Sequence, residues 1–184
     1  GTRRWRAVRG HSGGAVVALL DHHPPSTVFP HILVDAPTGL EPLLDAYGLP
    51  LQPKAVVLDR EDNHAPAVGR DADGKAVTAQ HPAYPRSREL AARHPITRGL
   101  ASLVVPYGVP VDAAPARAAG LTVTELVRSG PASVVAPKAT SPDPAQYAAP
   151  APGERPGPVA LAVAARGSFP SAFAGRPAPP APAQ

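Results

Sequence analysis

The sequence predicts an α/β fold with a thin core, and three neighbouring stretches carry that expectation. Residues 15–20 (AVVALL) form an apolar run between Gly13-Gly14 and Asp21, the pattern of a strand buried on both faces of a parallel sheet. After Thr38, a residue type that caps helix N-termini, Leu40, Leu43, Leu44 and Tyr47 recur at helical spacing; Pro42 is tolerable in the first turn and Gly48 is placed to end the helix. Residues 54–59 (KAVVLD) then read as a second buried strand, so strand, helix and strand follow in the order of a parallel βαβ-like unit.

The rest of the chain is read in the same way. Residues 21–37 hold four prolines and three histidines and are mainly loop, with a brief extended piece at 31–34. Asp73-Gly74, between Ala67-Val68 and residues 75–78, favours the positive φ angles of a two-residue hairpin turn. Residues 86–93 predict a short helix that must end before Pro95, because a residue preceding proline is driven out of the helical region. Residues 102–105 and 121–127 read as strands, the second alternating Leu121, Val123, Glu125 and Val127 against Thr122, Thr124 and Leu126. From 140 to 158 proline, alanine and glycine dominate, which predicts a linker or long loop; residues 159–165 (VALAVAA) give a last strand, and 177–184 (PAPPAPAQ) an extended tail.

Composition narrows the function classes. A chain of 184 residues suffices for one ordinary domain, but only 4% is aromatic, much of the apolar fraction is alanine, and 27 prolines exclude long uninterrupted helices. The formal charge is +4, yet four of the 18 basic residues lie at Arg3, Arg4, Arg6 and Arg9 and the others are scattered, as Arg60 is between Asp59 and Glu61. No basic stripe interleaved with aromatics appears, which argues against nucleic acid as a partner. Without cysteine there is no disulfide, thiolate nucleophile or cysteine-ligated metal. No apolar run reaches the length of a membrane span, and the start lacks a signal-peptide segment, so the chain reads as soluble.

Three constellations bear on chemistry. Gly10-His11-Ser12-Gly13-Gly14 fits the G-x-S-x-G nucleophile elbow, and Asp59 with His64 or His94 would complete the order Ser, Asp, His. The elbow needs a strand before the serine and a helix after it, whereas a strand is expected to follow Ser12, so the expectation is no catalytic residue, with a serine hydrolase as the alternative. His22 and His23, with His31 and His64, offer a second alternative, a His-rich metal-binding module; adjacent residues on an extended segment point to opposite sides, so neither a metal nor a cofactor is expected. Asp59, Glu61 and Asp62 stand at the carboxyl end of a predicted strand, where α/β folds place ligands, but no glycine-rich phosphate loop accompanies them and a plain loop is expected.

Read in order, several segments resemble the GldG-like family, extracytoplasmic auxiliary components of gliding-motility-type ABC transport systems. They are residues 13–21 (GGAVVALLD), 40–59 (LEPLLDAYGLPLQPKAVVLD), 94–100 (HPITRGL) followed by Val105-Pro106-Tyr107, 120–133 (GLTVTELVRSGPAS), 153–165 (GERPGPVALAVAA) and 168–177 (SFPSAFAGRP). Gly130 stands where the family usually has serine, and Val134 where it usually has tryptophan. The resemblance implies a partial Rossmann/flavodoxin-like or glutamine-amidotransferase-like sheet, with a β-rich insertion between about Glu61 and Pro137. The expected organisation is an unassigned basic segment over 1–12, the auxiliary domain over 13–165 and a low-complexity tail over 166–184. It further implies a non-catalytic protein on the outer face of the inner membrane, anchored through segments outside this chain, whose partners are an ABC permease and ATPase. The candidate contact residues are His94, Pro95, Ile96 and Thr97 with Arg128, Ser129 and Ser133.

Overall fold

Thr38 sets the first helix, though not as its N-cap. In the computed structural model, which describes residues 18, 20, 23, 24, 33, 34, 36–137 and 141–170, helix α1 runs over Glu41–Ala46 with Leu40 at the N-cap. The Thr38 N–H and Oγ1 both donate to Glu41 Oε1, at 2.7 and 2.9 Å, while Thr38 Oγ1 accepts from the Leu40 N–H at 3.2 Å. These bonds organise the turn before the helix, and Pro42 in the first turn gives up no needed donor. The helix ends where expected. Gly48 has φ +70°, its N–H donates to Asp45 O, and the Leu49 N–H donates to Leu44 O, the paired bonds of a Schellman cap.

Strand β1, Val56–Leu58, is wholly buried, as the apolar run predicts. Strands β2 (Asn63–His64), β3 (Ala67–Arg70) and β4 (Ala76–Thr78) follow, then β5 (His81–Ser87), β6 (Glu89–Leu90) and β7 (Leu103–Val104). After helix α2 (Ala114–Ala118) come β8 (Thr122–Arg128), β9 (Val134–Ala136), a 3-10 turn at Pro144–Tyr147, β10 (Arg155–Pro156) and β11 (Ala160–Arg166). Among the described residues these strands form ladders in the orders β1–β9–β10, β11–β8–β6 and β2–β5–β7, with the hairpin β3–β4 apart. The fold is thus mixed α/β and mostly strand, and every described pairing is antiparallel. The predicted strand at 15–20 lies outside the described residues, save Ala18 and Leu20. The edge of β1 opposite β9 is occupied by other backbone: the Val57 N–H donates to Gly108 O at 2.8 Å and the Asp59 N–H to Pro82 O at 2.9 Å.

The hairpin at Asp73-Gly74 forms, but with a longer connection than two residues. Gly74 alone takes positive φ (+78°); its N–H donates to Asp71 O and the Asp71 N–H to Lys75 O, a type I turn with a glycine bulge. Asp71 Oδ1 accepts from the Asp73 and Lys75 N–H groups and stiffens it. The strands expected at 102–105, 121–127 and 159–165 are present as β7, β8 and β11.

Two expectations are corrected. No helix covers 86–93: the chain is extended through β5 and β6, then turns. Pro82 and Pro85 sit inside β5 because their carbonyls, not N–H groups, are used there, accepting from Asp59 and Val105. Nor is the described part of 140–158 a loose linker. Tyr147 is 4% exposed and packs in the core with Val56, Leu58, Ala83, Tyr107 and Ala136, and β10 joins the β1–β9 sheet.

Arg60 holds this segment down. Its Nε donates to Tyr147 O at 2.9 Å, one terminal nitrogen to Ala149 O at 2.9 Å and to Glu154 Oε1 at 2.6 Å, and the other to Glu154 Oε2 at 3.1 Å. The same bonds keep the Glu154 carboxyl below the usual carboxylate range. Removing one partner of such a half-buried pair leaves polar groups unsatisfied, so Arg60→Ala should cost about 2 kcal/mol. A urea midpoint shift with faster proteolysis between 141 and 158 is the expected readout.

Candidate functional site

The two candidate contact segments, distant in sequence, are linked through one antiparallel ladder and leave it at opposite ends. Strand β6 pairs with β8 at Glu89–Arg128 and Leu90–Val127, and the Ala91 N–H continues the ladder to Leu126 O at 3.0 Å. The turn carrying His94, Pro95, Ile96 and Thr97 therefore leaves the sheet beside Leu126 and Thr124, at the end of this ladder away from Arg128. It is closed from within: the His94 N–H and Thr97 Oγ1 donate to Ala91 O at 2.9 and 2.7 Å, and the Thr97 and Arg98 N–H groups donate to His94 O. His94 Nδ1 accepts from the Ile96 N–H at 3.3 Å. These bonds bury Thr97 to 3% exposure and leave Ile96 at 60%. A shallow, open depression lined by Ala91, Ala92, Arg93, His94 and Thr124 borders the turn.

The second segment is mostly internal. Arg128 is exposed and pairs with Glu125 Oε2 at 3.3 Å, whereas Ser129 and Ser133 are 0% and 2% exposed. Ser129 Oγ accepts from the Val159 N–H at 2.9 Å and lies 2.7 Å from Ser133 Oγ, which lies 2.6 Å from Gly130 O. One consistent proton assignment satisfies the chain, Ser129 donating to Ser133 and Ser133 to Gly130 O. Both serines thus fasten the 129–133 turn to the entry of β11, and the exposed share of the candidate surface is Pro95, Ile96 and Arg128, with His94 half-buried.

The acidic cluster is a loop, as expected. Asp59 is 2% exposed, and its Oδ1 accepts from the Glu61 and Asp62 N–H groups at 2.9 Å each. Asp62 pairs with Arg88 at 2.7 Å. A Cβ at Gly130 would stand 2.7 Å from Asp59 Oδ2, which accounts for glycine at that position. Ser12, His22 and His31 lie outside the described residues; His23 is buried and His64 exposed. No group of three metal-capable side chains occurs among the described residues.

The cluster that the sequence did not reveal is centred on His81. This imidazole is 1% exposed, and Tyr84, Tyr107 and Tyr147 surround it with ring centroids at 4.6, 5.6 and 5.7 Å. The Ala83 N–H donates to Nδ1 at 3.2 Å, so Nε2 carries the proton and faces Pro142 O at 3.0 Å and the Tyr107 hydroxyl at 3.2 Å. Burial lowers the His81 pKa, against the smaller opposing effects of the Pro142 carbonyl and the Asp143 charge. Burial, reinforced by Tyr84 and Tyr147, raises that of Tyr107. Three of the chain's four tyrosines converge here, and that concentration in a chain poor in aromatics was the available signal. The cluster joins β5, the turn at 105–108 and the 3-10 turn, and its chemistry is that of a neutral, buried support.

Comparisons with curated proteins and with solved structures give no match. The model of a family described as an ABC-type uncharacterized transport system matches residues 11–184. Nearly the whole chain is covered, including the described sheets, the turn at 91–100 and the Arg60 clamp, and the chain belongs to the family of auxiliary components of this ABC-type transport system.

Proposed function

We propose that this chain is a non-catalytic, partner-binding domain of a gliding-motility-type ABC transport system, standing on the extracytoplasmic side of the inner membrane and contacting the permease and ATPase. The observation that carries the reading is the family match over residues 11–184. The described architecture is compatible with it: polar side chains buried at the candidate site bond to backbone and to one another, as scaffold does. None of the described helices is long and apolar enough to cross a membrane.

On the same reading the auxiliary domain spans 13–165, with 1–12 unassigned and 166–184 as a tail. Its sheet is the partial flavodoxin-like or glutamine-amidotransferase-like one that the resemblance implies. Helix α1 leading into the buried β1 supports this, and β2 to β9 with α2 supply the β-rich insertion between about Glu61 and Pro137. The surface offered to the transport system comprises Pro95 and Ile96 with half-buried His94 on the one turn and Arg128 on β8; Thr97 holds the first turn in shape, and Ser129 and Ser133 the turn after Arg128.

Co-purification tests the proposal. The intact protein, tagged and extracted from native membranes in mild detergent, should bring with it the permease and the ATPase of one ABC system. Recovery of the folded protein without either subunit would refute the reading.

A further inference from the structure

We propose that the turn over residues 91–100 docks onto an anionic lipid surface, seating Ile96 and Leu100 at the headgroup level with Arg93 and Arg98 on the lipid phosphates. The inference rests on the membrane-associated reading above and names the partner of its candidate surface.

Four observations lead there. Ile96 and Leu100, at 60% and 47%, are the two most exposed large apolar residues described. Their exposure is built in, since Thr97 is tied to Ala91 O and the Leu100 N–H to Thr97 O at 3.1 Å, so the turn cannot fold its tip inward without breaking these bonds.

Within the turn's own sequence the charge is of one sign. Residues 90–111 contain no aspartate or glutamate. Elsewhere Arg60, Arg88 and Arg117 each meet a carboxylate within 3.1 Å, whereas no described carboxylate forms an ion pair with Arg93 or Arg98, both exposed.

The β3–β4 hairpin provides the contrast. It also exposes two valines, Val68 at 45% and Val77 at 43%, but Arg70 and Lys75 there are matched by Asp71 and Asp73. Unlike the hairpin, the 91–100 turn combines apolar tips with unpaired arginines, the pairing that anchors a protein at an anionic interface.

Size separates a bilayer from a protein partner. Two apolar tips and two arginines alone are far short of the roughly 1,200–2,000 Å² that a stable protein–protein interface buries, so a permease contact that includes this turn must draw on further surface, such as that around Arg128. At a lipid surface, insertion and phosphate attraction act residue by residue, and a small patch suffices.

Sedimentation with vesicles tests the proposal on the 184-residue chain. Vesicles of phosphatidylglycerol and phosphatidylcholine in equal parts should bind it, pure phosphatidylcholine should not, and added salt should weaken the binding. Ile96→Asp should reduce the affinity about tenfold or more, and Arg93→Gln with Arg98→Gln about fivefold per arginine. Val68→Asp on the hairpin should bind like the parent chain. All these side chains are exposed, so circular dichroism should be unchanged.

Failure of the parent chain to bind the anionic vesicles, or variants at 93, 96 and 98 that bind as well as it does, would overturn the inference. Co-purification in detergent separates this failure from that of the functional reading. If Ile96→Asp keeps the permease but loses the vesicles, the lipid assignment stands. If it loses the permease and keeps the vesicles, the turn belongs to a protein contact, and the lipid assignment falls while the transport reading survives.

Discussion

Gly48→Ala is expected to destabilise the domain by about 3–4 kcal/mol, a large share of the roughly 5–15 kcal/mol that holds a typical domain together. Two effects add. Gly48 has φ +70°, which costs an L-residue about 1–2 kcal/mol. A Cβ there would also stand 2.7 Å from Ala116 N and 2.9 Å from Ala116 Cα and Pro115 C, all backbone of α2. Neither helix can yield cheaply, because Ala116 is 0% exposed and packs in one cluster with Leu49, Ala113 and Leu121. Gly74→Ala is the control: φ is +78°, but nothing lies within 4 Å of the new methyl, so only the conformational cost of about 1 kcal/mol should appear. Urea midpoints of the two variants, at equal m-values, measure the difference.

Acidification should loosen the segment at 141–147 through His81. Burial depresses the imidazole pKa in the folded state, so the unfolded chain takes up the proton more readily. The contribution is therefore fully present above the ordinary histidine value of 6.5 and lost as pH falls below it. The slope is at most about 1.4 kcal/mol per pH unit, continuing down to the folded-state pKa. The structural reason is that a proton on Nδ1 would face the Ala83 N–H, which now donates to that nitrogen. Tyr84, Tyr107 and Tyr147 surround the ring, and Asp143 is the nearby charge that moderates the effect. Glu154 acts in a lower window: its pKa is depressed from 4.5, so its contribution is lost only as pH falls below that value. His81→Gln should be less stable at neutral pH and should lack the slope between about pH 6.5 and 4.5. Thermal melts across that range, with protease sensitivity of the segment, supply the check.

The elements legible in the sequence were those specified by neighbours in the chain. Pro42 and Gly48 bracket α1, the run VVL marks β1, Asp73-Gly74 marks the β3–β4 hairpin, and alternation marks β8. Elements specified across the chain were not. Strand β5 (HPAYPRS) contains two prolines and reads as a break, yet it forms because its partners need carbonyls at 82 and 85. The segment at 141–158 has the composition of a linker, but Arg60 reaches it from 87 to 94 residues away and Tyr147 finds a core that no local window shows. The antiparallel pairing of β1 with β9 is hidden for the same reason.

The candidate site divides along the same line. Pro95 marks where a helix must have ended, and the chain there is a turn over 94–99. That Ile96 stays exposed while Thr97 is buried depends on bonds to Ala91, and that Ser129 and Ser133 are internal depends on the approach of Gly157 and Val159. The family resemblance supplied the candidate segments, and the geometry sorts their residues into surface and support.

The measurement closest to the central claim is a titration of the folded chain against the purified, detergent-solubilised permease–ATPase complex. Saturable binding, weakened by substitution at Arg128 or His94 and unchanged by Val68→Asp, is the predicted result. A folded chain that fails to bind the complex at any concentration would contradict the account.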